Sequence, residues 1–187
     1  MTRTTSVLAF LVLAAIQLGV PLSMIVDREI TLRQGHAMRF QTAPVDPYDA
    51  FRGKFVALRI EPENILVPPD ITVSVKRPFY AALAADSNGF ARVSALHTSA
   101  PADGDYVKVR VHWHSGTNAF IRYPFDRYYM NEQDAPRAEL AYGRNSTRTN
   151  RNTYVIVRLR HGDAVIEDLI IDNQPVAKFL QREVSAP

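Results

Sequence analysis

Residues 106–114, YVKVRVHWH, alternate apolar and polar side chains more cleanly than any other stretch of the chain. Side chains point to opposite faces of a strand in turn, so Val107, Val109, Val111 and Trp113 share one face while Tyr106, Lys108, Arg110, His112 and His114 share the other. The first row is expected to lie buried together on a core, and the second to meet water. The same period recurs on both sides. Ile30 and Leu32, the turn Gln34-Gly35 and then residues 37–41 suggest a first hairpin, and residues 54–60 read as one strand after Gly53. Residues 79–83 and 90–96 flank the turn at Asn88-Gly89, and residues 154–160 and 164–171 flank His161-Gly162-Asp163. Helical signals are few. Asp46-Pro47 suits a helix start, and Pro136, Ala138, Leu140, Ala141 and Tyr142 suit a short helix before Gly143. The pattern predicts a mainly β (α+β) chain of about eight or nine strands, built as antiparallel sheets or a sandwich with short helical insertions.

A different pattern precedes it. Residues 6–26, SVLAFLVLAAIQLGVPLSMIV, are 21 uncharged residues. As a helix they reach roughly the 30 Å of a bilayer's hydrocarbon core. A cleaved signal peptide would have a shorter apolar stretch and small residues at its end, whereas Leu22, Met24, Ile25 and Val26 are bulky. The expectation is therefore one transmembrane helix in a membrane anchor, residues 1–26, followed by an extracytoplasmic mostly-β domain, residues 27–187. The proline-rich passage at 62–70 marks where that domain would divide into two sub-lobes. Arg3 and the amino terminus outweigh the single Arg28 of the other flank, so the positive-inside bias places the N-terminus in the cytoplasm and the domain in the periplasm of a bacterium with two membranes.

Composition excludes several chemistries. There is no cysteine, hence no disulfide, thiolate metal site or thiol nucleophile. Twenty-two basic against 19 acidic residues, scattered singly, do not make a nucleic-acid surface. No glycine-rich phosphate loop or nucleophile elbow occurs, so no cofactor and no catalytic residue is assigned. His112 and His114 have the spacing of two ligands on one strand face, but Lys108 and Arg110 beside them oppose a divalent cation, and the reading is no metal. That face suits an anion better.

Residues 122–132, RYPFDRYYMNE, form the densest aromatic and charged stretch. Flat rings and guanidinium forks are what recognition surfaces use, which makes Arg122, Tyr123, Arg127, Tyr128 and Glu132 the candidate binding residues. The competing reading places these rings in the core, with Asp126 and the arginines as rim ion pairs.

Residues 44–60, PVDPYDAFRGKFVALRI, resemble the GDYXXLXY family of small membrane-anchored bacterial proteins, through Asp46, Pro47, Asp49, Phe51, Arg52, Gly53 and Leu58. Lys54, Phe55 and Ile60 stand where the family has aspartate, tyrosine and tyrosine. Further similarity at residues 89–93, 123–132 and 169–173 keeps the same order along the chain. The resemblance implies no particular reaction, and it implies a partnership with polytopic membrane proteins. In physical terms the segment is turn chemistry: Asp46-Pro47 fixes a turn, Gly53 leaves room for backbone, and Asp49 with Arg52 suits a short ion pair.

The function expected is that of a membrane-anchored extracytoplasmic protein, a non-enzymatic binding or accessory partner of an integral membrane protein. The alternatives are a hydrolase or metal-dependent enzyme using Asp126, Glu132 and His112/His114, and an anion or glycan sensor read out through the anchor.

Overall fold

The computed structural model describes residues 3–44, 55–61, 64–67, 77–147 and 152–185. The helix α1 (Arg3–Gln34) is 32 residues long. It is long and apolar enough to cross a membrane, and its large apolar side chains from Val7 to Val26 are exposed. The expected strand at Ile30 and Leu32 is absent, because the helix continues through both. Extending an existing helix is far easier than starting a new element, and local bonds support the extension: Arg33 Nε to Glu29 Oε1 at 2.6 Å and Thr31 Oγ1 to the Asp27 carbonyl at 2.9 Å. The Gly35 amide closes the last turn on the Thr31 carbonyl at 2.9 Å.

The chain then runs through β1 (His36–Ala43), β2 (Phe55–Ala57), β3 (Arg59–Ile60), β4 (Asn64–Leu66), β5 (Pro78–Ala85), β6 (Ala91–His97), β7 (Tyr106–Ser115), β8 (Asn118–Arg122), β9 (Arg127–Tyr129), α2 (Ala135–Asn145), β10 (Thr153–Arg160), β11 (Asp163–Ile171), β12 (Gln174–Pro175) and α3 (Val176–Ser185). One five-stranded sheet has the order β12-β11-β10-β1-β3, a second has β4-β8-β7-β5-β6, and β2 pairs with β9 in a two-stranded ribbon. All these strand pairs are antiparallel. The fold is mainly β, as the alternation predicts.

The buried alternate positions of β10, namely Thr153, Val155, Val157 and Leu159, face one core with Phe40 of β1 and Val107, Val109 and Val111 of β7. Phe40 sits edge-on to Tyr123 and Phe125, with ring centroids 5.6 and 5.0 Å away. Two isolated bridges, Arg39 to Phe90 and Val107 to Gly162, link the sheets. The second depends on the β10–β11 turn, where His161 and Gly162 both have positive φ. A two-residue hairpin loop of matching twist needs that conformation.

Trp113 departs from its expected place and is 53% exposed. The pairing of β7 with β8 shifts between Val111 and Trp113. The extra residue, His112, breaks the alternation, so Trp113 leaves the buried row and packs on Phe120 at 5.5 Å. The single strand expected over 54–60 is two: β2 pairs with β9 and β3 with β1, and between them the Leu58 amide bonds the Asp126 carbonyl at 2.9 Å. Pro136 lies in the first turn of α2, which runs through Gly143, and Tyr142 donates from its buried hydroxyl to the Ala43 carbonyl at 2.7 Å. Helix α3 has no counterpart in the sequence reading; it buries Val176, Phe179 and Leu180 at helical spacing.

Candidate functional site

A crevice of about 720 Å³ lies at the foot of α1. Its walls come from three places: Asp27, Arg28 and Thr31 of the helix, Lys108 and Arg110 of β7 with Arg122 of β8, and the β10–β11 turn with Asp163. Gly35 decides how these walls meet. A side chain there would run into the Thr31 carbonyl and into the Leu159 carbonyl of β10, so only glycine lets the end of α1 lie against the sheet. Arg158 Nη1 donates to the Gly35 carbonyl at 3.2 Å while its other nitrogens grip Glu167 at 2.7 and 2.9 Å. That carboxylate raises the Arg158 pKa.

The cations of the crevice are arranged differently. Among the described residues, no side-chain hydrogen bond or ion pair engages Arg28, Lys108, Arg110 or Arg122. Arg110 and Arg122 are direct cross-strand partners. Like charges in that position repel, since opposite Cβ atoms of an antiparallel pair lie roughly 5 Å apart.

The residues singled out in the sequence divide. Arg122 and Tyr123 both line the crevice, with Asp126. Tyr123 is 5% exposed and belongs to the core, as the competing reading has it. Arg127 lies on the ribbon, its guanidinium 5.0 Å from the Phe55 ring centroid, and Tyr129 packs on the same ring at 5.7 Å. Tyr128 is half-buried and donates to Asp168 Oδ1 at 3.1 Å. Burial, then the Asp168 carboxylate, pushes its hydroxyl up to about 12, and burial pushes the Asp168 carboxyl up as well. Glu132 is exposed just before α2.

Asp46, Pro47, Asp49, Arg52 and Gly53 lie outside the described residues. Leu58 is buried. The strand it interrupts meets the aromatic stretch directly: Phe55 faces Tyr129, Val56 faces Tyr128 and Ala57 faces Arg127. Two motifs some 70 residues apart thus form one ribbon. His112 and His114 are exposed and, like Glu132, are not among the residues lining the crevice with Asp126. No group of three or more His, Asp or Glu side chains suited to a metal occurs among the described residues. Sequence reasoning missed Arg28 and Thr31 as site residues, since nothing in the alternation of β7 tells which element will cover its basic row.

An apolar helix fused to a β-rich head, with a crevice lined by charges of both signs at the joint, defines the class. The chain belongs to the GDYXXLXY family: the family profile, described as GDYXXLXY protein, matches residues 17–169. That match includes the second half of the apolar stretch and nearly all of the head. Comparison with curated proteins and with solved structures gives no match.

Proposed function

We propose that this chain is a single-pass inner-membrane protein, its N-terminus in the cytoplasm and its head in the periplasm, that serves as a non-enzymatic accessory partner of an integral membrane protein. The observation that carries this reading is the joint. Helix α1 passes without a break from its exposed apolar stretch to the buried Thr31 and Gly35, which would hold the head at a fixed distance and attitude beside the bilayer. The ribbon supplies a contact surface of the right chemistry, because the exposed Arg127 and Tyr129 flank Phe55, and arginine and tyrosine are enriched among residues that dominate binding.

The test uses the full chain in cells. Carbonate-washed membranes should retain it, and protease added outside the inner membrane should digest the head but spare the span. A photo-crosslinker at Tyr129 should then join the head to an integral membrane protein, and Phe55→Asp should abolish the adduct. Recovery of the full chain in the soluble fraction refutes the anchor, and a crosslinking pattern unchanged by Phe55→Asp refutes the ribbon as the contact surface.

A further inference from the structure

We infer that the crevice at the foot of α1 binds a phosphate-class anion, supplied by the headgroup of an anionic phospholipid beside the helix. The argument starts from depth. The apolar stretch ends at Val26, and Thr31 lies five residues further on. That is about 7 Å along the helix axis, close to the ~5–8 Å occupied by one headgroup layer outside the hydrocarbon core. The crevice touches the helix from Met24 to Thr31. The helix side of the crevice therefore lies at the depth of lipid phosphates, provided α1 spans the bilayer as proposed above.

Charge is the second observation. Arg110 and Arg122 line the crevice as direct cross-strand partners, and neither makes a side-chain ion pair among the described residues. An anion between them turns a repulsive pair into a bidentate clamp, since two guanidinium forks match the oxygens of a phosphate. Arg28, on the helix itself, is a third guanidinium among the lining residues. The carboxylates Asp27, Asp126 and Asp163 also line the crevice and would repel an anion that came close to them. Asp126 is partly occupied, lying 3.6 Å from Arg127.

The experiment measures binding to the full chain in a neutral detergent, with three separate probes: short-chain phosphatidylglycerol, short-chain phosphatidylcholine and inorganic phosphate. Phosphatidylglycerol is expected to bind at least tenfold more tightly than phosphatidylcholine. The double variant Arg110→Gln/Arg122→Gln should lose at least tenfold of that affinity while keeping its melting temperature, because the substitutions relieve a repulsion. Equal affinity of the double variant for phosphatidylglycerol overturns the site. Tight binding of inorganic phosphate, with the two lipids indistinguishable, keeps the anion clamp but overturns the lipid source. The anchor is judged separately by carbonate extraction, so a soluble chain that still binds phosphate would refute the membrane reading and not the clamp.

Discussion

The foot of α1 has two sides, and they treat charge in opposite ways. Toward β10 and β11, Arg158 is held between Glu167 and the Gly35 carbonyl, and the next carboxylate, Asp168, accepts from Tyr128 and from the Leu169 amide. Toward β7 and β8, Arg110 faces Arg122. The first side pairs its polar groups with one another, and through Arg158 with the Gly35 carbonyl at the joint. The second leaves its cations without ion pairs, at some loss of stability.

The largest break in this contrast should come from Gly35→Ala. Its added carbon has nowhere to go between two backbone carbonyls, so the variant is expected to lose about 3 kcal/mol or more, read as a fall in melting temperature of the full chain in detergent. Tyr128→Phe probes the same side more gently. It removes one bond to a half-buried carboxylate, and a loss of about 1–2 kcal/mol is expected near neutral pH. The pH dependence has a definite sign. With its folded pKa raised from 10 to about 12, Tyr128 contributes stability that is full below pH 10 and lost as pH rises through about 12; denaturant midpoints over that range should fall in the natural chain and flatten in the variant.

Arg158→Met sharpens the contrast further. Both partners are about a third exposed, and solvent limits the pair to about 1 kcal/mol. The smallest effect is the most telling: Arg122→Gln in lipid-free detergent should leave stability unchanged or raise it by about 0.5 kcal/mol, because a like-charged neighbour is removed. A melting temperature lowered by several degrees would show that Arg122 is a structural residue after all.

Much of the head was legible in the sequence because its strands are two-sided. Alternation in β7 and β10 gives both the strand and its buried face, and the paired turns at Gly89 and Gly162 carry the glycines their positive φ favours. The failures were of two kinds. Trp113 and the division at Leu58 depend on how strands pair, a bulge against Phe120 in the neighbouring strand and a bond to Asp126 far along the chain, which the period of a single strand does not encode. Helix α1 ran past Val26 because charged residues fit an existing helix as well as a loop. For the candidate site the basic row of β7 was visible and its helical wall was not. The aromatic stretch was visible as well, but not that it pairs with the strand of the family motif.

Because α1 enters the sheet with no slack between them, the head is geared to the helix like a key to its shaft. Each residue added or removed between Val26 and Thr31 would swing the head by about 100° around the axis of α1 and shift it along that axis by about 1.5 Å. The segment between the apolar stretch and the sheet thus sets the azimuth of the head about the helix, and a change of one residue in its length turns every face of the head, the ribbon included, in a new direction.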